Sequence, residues 1–257
     1  MKPLTLASVA FAALLTGPAI AADMRVGAPV YKAPPPAAYS WTGCYLGIEG
    51  GGNWGKSQHF ENEPGARTFG LAQTAGIDLS GALLGGTVGC NYQFGNWSIG
   101  LENDLSWTNK KASAGLIPPF VVTDKFQTSE SWLDTLRGRL GFAWDRWLVY
   151  GTGGAAFANE GIELCDPFAG CGGLSKTVTG WTAGAGAEYA FLGDWSLKLE
   201  YLHVDLGTQS YPNIYPGGIF ANGANRFAQR NVSLTDDIVR AGMNYRFNWG
   251  SPVAARN

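Results

Sequence analysis

Three two-residue turns, each followed at once by tryptophan, set the period of this chain: Gly95-Asn96-Trp97, Asp145-Arg146-Trp147 and Gly193-Asp194-Trp195. The tryptophans are 50 and 48 residues apart. A step of 52 residues back from Trp97 reaches Tyr45, near Trp41, and a step of 52 forward from Trp195 reaches Phe247, next but one to Tyr245. Four units of two strands each predict an all-β fold, an eight-stranded antiparallel up-and-down β-barrel. Trp41, Tyr45, Trp97, Trp147, Trp195, Tyr245 and Phe247 would then form an interfacial aromatic ring at the rim of the tight turns, which makes it a transmembrane barrel.

Stretches of about ten residues alternate between two chemistries, the length that carries a tilted strand across a bilayer. Trp97, Ile99, Leu101, Leu105 and Trp107 share one face, and Ser98, Gly100, Glu102, Asp104 and Ser106 share the other, with Asn103 the exception. Trp132, Leu136, Leu140, Phe142 and Trp144 oppose Thr135, Arg137 and Arg139, and Asp134 interrupts their apolar face. Trp195, Leu197, Leu199 and Tyr201 oppose Ser196, Lys198 and Glu200; Val239, Ala241, Met243, Tyr245 and Phe247 oppose Arg240, Asn244 and Arg246. The stretch 147–157 is too rich in glycine for its faces to be assigned. Longer segments near 55–80, 108–128, 158–176 and 207–233 alternate with the tight turns. Their Pro118-Pro119, Gly172-Gly173 and Pro212 argue against strand continuation.

Periodicity is blind to which face of a barrel is inside. Three features put the apolar face on lipid: an export signal, the aromatic ring and the asymmetry of loop lengths. Lys2, the apolar run from Leu4 to Ile20 and small residues before Asp23 predict a secretory signal over 1–22. Pro29, Pro34, Pro35 and Pro36 mark a periplasmic linker over 23–40, followed by the barrel over 41–247 and a tail over 248–257. A soluble lipocalin-like barrel would bury the apolar face and leave the terminal tryptophans unexplained. With lipid outside, Arg137, Arg139, Lys198, Arg240 and Arg246 face Glu49, Glu102, Asp104, Glu188 and Glu200 across the lumen. A barrel of eight strands is just wide enough for side chains to fill it. These charges should pair and plug the interior, since each one left unpaired would cost several kcal/mol.

Composition excludes other classes. Lys and Arg number 18 against 20 Asp and Glu, for a net charge of −2, and no basic cluster stands out, so nucleic acid is not a partner. After the signal no run of 18 apolar residues remains for a transmembrane helix. Cys165 and Cys171, six apart in a Gly/Pro/Asp-rich loop, are candidates for a disulfide. Cys44 and Cys90 are open to two readings, a cross-strand bridge or two buried thiols. Neither pair has C-x-x-C spacing. His203, Asp205 and Ser210 lie close in sequence, but a strand-end histidine explains His203 equally well, and no cluster has metal-ligand spacing. Gly151-Thr152-Gly153-Gly154 lacks the lysine of a phosphate loop. No catalytic, cofactor or metal residue is assigned. Only His59, His203, Met243, Tyr211 and Tyr215 offer groups that a haem could use.

Trp41-Thr42-Gly43-Cys44-Tyr45-Leu46-Gly47, the segment from Glu200 to Gly207 and the segment from Val239 to Phe247 resemble the alphaproteobacterial outer-membrane β-barrel family. Its members are labelled surface immunogenic or "porin family" proteins and are related in fold to the OmpA transmembrane domain and the opacity adhesins. The resemblance implies the outer membrane of a Gram-negative cell. It also implies contact with outer-membrane lipids, with the assembly machinery during biogenesis and with a host or envelope surface ligand. The function expected is structural and surface-interacting, in envelope integrity and as a surface antigen; the family motifs say little about activity, and the residues themselves argue against an enzyme. A narrow porin-like channel for small solutes and a haem or host-ligand receptor are the alternatives. Two departures from the family stand out: ten residues follow Phe247, and Cys44 stands where members commonly carry Phe.

Overall fold

A computed structural model describes residues 39–61, 71–72, 74, 76–118, 125–166, 170–212 and 229–247. The expected signal, most of the expected linker and the tail lie outside these residues. Among the described residues the strands are β1 (Gly43–Glu61), β2 (Ile77–Phe94), β3 (Trp97–Thr108), β4 (Lys111–Gly115), β5 (Lys125–Trp144), β6 (Trp147–Asp166), β7 (Gly170–Leu192), β8 (Trp195–Pro212) and β9 (Gln229–Phe247). Every pairing is antiparallel, and β1 pairs with both β2 and β9, so the sheet closes on itself and no long edge is left open. The short β4 resumes the wall of β3 after a break at Asn109-Lys110 and pairs with the upper part of β5. The ring is therefore eight strands around.

Two-residue turns close the lower rim between Phe94 and Trp97, Trp144 and Trp147, and Leu192 and Trp195. The first residue of each turn has positive φ: 61° at Gly95, 51° at Asp145 and 52° at Gly193. Right-twisted hairpins need this conformation, which glycine adopts freely and aspartate tolerates. The carbonyl of each second turn residue then accepts from the next strand: Asn96 from the Ala143 N–H at 2.6 Å, Arg146 from Ala190 at 2.9 Å and Asp194 from Arg246 at 2.9 Å.

In the lower part of the wall the outward side chains are apolar but for Asn103 and Asp134, among them Ile48, Leu84, Ile99, Leu101, Leu140, Val149 and Leu199. Around them run two aromatic girdles. The lower contains Phe94, Trp97, Phe142, Trp144, Trp147, Trp195, Tyr245 and Phe247, and the upper contains Trp54, Trp107, Trp181 and Tyr201. On β3 the girdles are Trp97 and Trp107, ten residues apart. That is about 33 Å along the strand and about 25 Å along the axis of a barrel tilted near 40°, the height of an apolar band in a bilayer.

Above the upper girdle the two faces exchange chemistry. On β8 the inward set runs Ser196, Lys198, Glu200 and then Leu202, Val204, Leu206, while the outward set runs Leu197, Leu199, Tyr201 and then His203, Asp205. On β2, outward Leu84 and Val88 give way to Asp78 and Ser80 while Ile77 and Leu79 point in. The upper wall thus carries an ordinary hydrophobic core of Leu79, Phe126, Leu133, Val178, Leu202, Val204, Leu206, Leu234 and Ile238. This exchange corrects the expected loop boundaries: β1 runs on to Glu61, β5 begins at Lys125, and Gly172-Gly173 lie within β7. Where water replaces lipid outside the wall, polar residues move out and apolar residues move in. A pattern that demands apolar residues outward loses the strand at that point.

Two members of the expected aromatic ring are not in it. Tyr45 and Trp41 are buried in the lumen, at 4% and 3% exposure. Tyr45 has the parity of Glu49, and Leu46 and Ile48 take the outward places. Trp41 precedes β1 and turns inward onto Ala143, Leu148, Tyr150 and Ala190.

Candidate functional site

The lumen is filled in three storeys. At the bottom Trp41 plugs the mouth; its backbone N–H donates to Gln93 Oε1 at 2.7 Å, and the Tyr39 ring stands edge-on to it at 5.0 Å. Beside this plug, a void of about 10 Å³ bordered by Tyr45, Asn91 and Glu188 has room for about one water.

In the middle storey the register brings opposite charges onto neighbouring strands: Glu102 beside Arg137, Lys198 beside Glu188, and Glu200 beside Arg240. Arg137 donates to Glu102 at 2.6 Å, to Glu200 at 3.0 Å and to Asp104. Arg139 donates to Glu102 at 3.0 Å and to Glu188. Lys198 Nζ lies 2.9 Å from Glu49, 3.5 Å from Glu102 and 3.7 Å from Asp104. Arg240 donates to Asp104 at 2.6 Å, to Glu200 at 2.8 Å and to Glu49. Tyr45 and Tyr150 give their hydroxyl protons to Glu102 at 2.7 Å and Glu200 at 2.9 Å. The Arg139 guanidinium lies 3.7 Å from the centroid of the Tyr150 ring. Gly89 and Gly186 sit directly opposite these two tyrosines, and a Cβ at either would collide with the phenol.

Arg246 does not join this network. It turns to the lower rim, donates to Asp194 at 2.9 Å and covers the Tyr39 ring at 4.4 Å. The expected balance of five against five is corrected to four cations and five carboxylates, because Asp194, in a tight turn beside the end of β9, lies nearer to Arg246 than the mid-lumen acids do. Sequence spacing gave that turn a structural role only.

The top storey is the hydrophobic core, with a second polar cluster that the sequence did not single out. Lys110 enters the lumen at the break between β3 and β4, with Nζ 2.9 Å from Glu130 and 2.5 Å from Asp236. Burial by itself would lower the pKa of this ammonium, but Glu130 and Asp236 outweigh it and hold the pKa above the usual lysine value. Tyr211 donates to Glu160 at 2.7 Å, and His59 stacks on Phe126 and lies 3.1 Å from Thr128. His59, Lys110, Glu160 and Tyr211 fall in segments read as loops, and Glu130 and Asp236 lie just outside the stretches whose faces alternation assigned.

The candidate ligands for haem are not brought together. His59 and Tyr211 are buried at the top of the lumen, Met243 faces outward low on β9, His203 faces outward beside Trp181 of the upper girdle, and Tyr215 lies outside the described residues. His203 pairs with Asp237, Nδ1 to Oδ1 at 2.9 Å, and not with Asp205. A bulge between Asp205 and Thr208 separates it from Ser210. Two polar residues on the lower outward face, Asn103 and Asp134, satisfy each other with a hydrogen bond of 2.6 Å. Both cysteine pairs are bridged, Cys165 to Cys171 at the top of the β6–β7 hairpin and Cys44 to Cys90 across β1 and β2 near the lower rim.

Comparison with known proteins gives a single picture. The family model described as outer membrane protein beta-barrel domain matches residues 9–247. The 31 kDa outer-membrane immunogenic protein of Brucella melitensis is 37% identical over 260 residues, covering 96% of this chain and 100% of that protein. The 22 kDa outer membrane protein of Rhizobium leguminosarum bv. viciae is 31% identical over 197 residues, covering 75% of this chain and 76% of that one. The crystal structure of OprG from Pseudomonas aeruginosa superposes with a TM-score of 0.51 at 15% identity, covering 80% of this chain and 97% of that one, a likeness of fold.

Proposed function

Because the chain belongs to the outer membrane protein β-barrel domain family, and so resides in the outer membrane, we propose that it is a closed structural barrel that presents its upper loops as surface antigens, and is neither a channel nor an enzyme. The observation that carries this reading is the sealing of the charge network. Arg137, Lys198, Glu49 and Glu200 are almost wholly buried, with apolar side chains above them and the Trp41 plug below. A permeant ion would have to break pairs that, once separated, are buried charges without partners. The antigenic part of the proposal rests on the names of the Brucella relatives and on the strands continuing above the upper girdle. Against the serine–histidine reading stand the pairing of His203 with Asp237 and the bulge that separates it from Ser210.

The test is conductance together with surface exposure. Refolded protein in planar bilayers should give no discrete openings, and antibodies to the loop carrying Cys165 and Cys171 should bind intact cells. Steady single-channel currents that disappear in Arg139→Gln would overturn the closed barrel. Antibody binding only after lysis would overturn the surface role.

A further inference from the structure

Two sets of metal-ligating side chains come together among the described residues. Glu102, Asp104 and Glu200 form one, and Arg137 and Arg240 already fill the space between them. Glu163, Cys165 and Cys171 form the other, at the tip of the β6–β7 hairpin. Sequence spacing did not join Glu163 to the cysteines, but the hairpin does. Cys165 and Cys171 are direct cross-strand partners, and alternation puts Glu163 on the same face of β6 as Cys165. A carboxylate oxygen and the two sulfurs all lie within 4.8 Å of one another. Gly173 stands opposite Glu163, where a Cβ would come 3.3 Å from the Glu163 Cβ, so the glycine leaves the carboxylate free to swing towards the sulfurs.

In the oxidised barrel the two cysteines are bridged, and three features make this bridge the one open to exchange. It stands well above Trp181 of the upper girdle, and Cys171 is exposed there. The Cys44–Cys90 bridge instead lies on the lipid-facing wall, where Cys44 pairs with Phe247 and Cys90 with Leu101, out of reach of thiols in water. The cysteines at the tip are 6 positions apart against 46 for the other pair, and a shorter closed loop restrains the unfolded chain less. Lys125 is the partner of Cys165 on its other side, and a neighbouring ammonium stabilises the departing thiolate. Once the bridge opens, the β6–β7 ladder still holds both strands and keeps the sulfurs side by side. Rotation about the Cα–Cβ bonds is enough to set them about 3.8 Å apart, as two thiolates on one tetrahedral Zn2+ with Zn–S of about 2.3 Å require, with Glu163 as third ligand. Two thiolates, one carboxylate and a divalent ion leave a single negative charge, which Lys125 offsets.

We propose that the Cys165–Cys171 bridge is a reversible switch at the outer tip of the barrel: an external dithiol reduces it, and the reduced pair with Glu163 binds a thiophilic divalent cation of the Zn2+ class. Two electrons pass from the dithiol to the bridge, the dithiol leaves as a cyclic disulfide, and each cysteine thiol gives up its proton when the metal binds. That the tip faces outward rests on the surface role proposed above, whereas the chemistry of the site does not. Full-length protein, refolded in maltoside micelles and checked for the folded gel shift, is treated briefly with dithiothreitol, freed of it under argon and divided. One part is alkylated and mapped, and label should appear on Cys165 and Cys171 while Cys44 and Cys90 stay bridged. The other is titrated with Co2+, and one equivalent should raise a thiolate-to-cobalt absorption band that Zn2+ then abolishes. Oxidised protein should give no band, Cys44→Ala with Cys90→Ala should keep it, and Glu163→Gln should weaken Co2+ binding at least about tenfold, a difference of ~1.4 kcal/mol. No band in the reduced protein, an equal band in the oxidised protein, or unchanged affinity in Glu163→Gln would overturn the metal site. Alkylation of Cys44 and Cys90 as fast as that of the other pair, or loss of the folded shift on reduction, would overturn the switch. On reduced cells an impermeant maleimide should label the tip before lysis. Labelling only after lysis, with the micelle results intact, would overturn the outward placement and leave the chemistry standing.

Discussion

At the residue scale the protein depends on a few buried side chains whose partners come from distant strands. Arg137 is the clearest, a guanidinium on β5 that holds Glu102 and Asp104 from β3 and Glu200 from β8. Arg137→Met keeps much of the side-chain volume but leaves three carboxylates short of one cation. It should cost about 3–5 kcal/mol, the usual penalty for breaking a buried ion pair from one side. A lower urea midpoint for the loss of the folded gel shift measures this, and an unchanged midpoint would mean that water reaches the network. The sequence marked Arg137, Glu102 and Glu200 as inward by parity, once the export signal, the aromatic ring and the loop lengths had put the apolar face on lipid. It misplaced Tyr45, chosen by counting from one turn-tryptophan to the next, because a period of about fifty residues fixes a rim but not a face. Arg246 had the right parity, yet its partner lies in a turn, where alternation carries no information.

At the scale of the element, the strands are longer than the bilayer needs, and their upper ends follow the rule of a water-soluble barrel. Position, more than parity, therefore decides what a substitution does. On β8, Glu200 and Val204 point the same way four residues apart, one into the charge network and the other into the hydrophobic core. Val204→Asp should destabilise by about 2 kcal/mol or more, as a buried carboxylate without a cation. Asp205→Leu, its outward neighbour, loses the bond from the Gly207 N–H at the bulge and should cost only about 1 kcal/mol. Urea titration of both variants in one detergent checks the pair, and equal losses would place the polarity boundary elsewhere on the strand. The Cys44–Cys90 bridge ties the first hairpin near its lower end, between cysteines 46 positions apart in sequence. Replacing both with alanine should cost about 2–4 kcal/mol without changing the folded gel shift. A variant that never acquires the shift would instead make the bridge a requirement of assembly.

At the scale of the whole molecule, closing the sheet and filling the lumen are coupled. Among the described residues the wall has no long free edge, because β1 meets β9, and β1, β3, β5, β8 and β9 all send charges to one level of the axis. Bilayers carrying the protein should stay silent for that reason, and Arg240→Gln should lower stability before it raises conductance. The sequence by itself determined the number of strands, the two-residue turns, the lipid-facing parity of the lower wall and the family, because turn chemistry and alternation are local and survive in one dimension. Only the tertiary structure decided which carboxylate each arginine holds, that Trp41 closes the mouth, and where along each strand the outside changes from hydrocarbon to water. Those depend on the stagger between neighbouring strands, which sets what stands level around the barrel and which no single strand encodes.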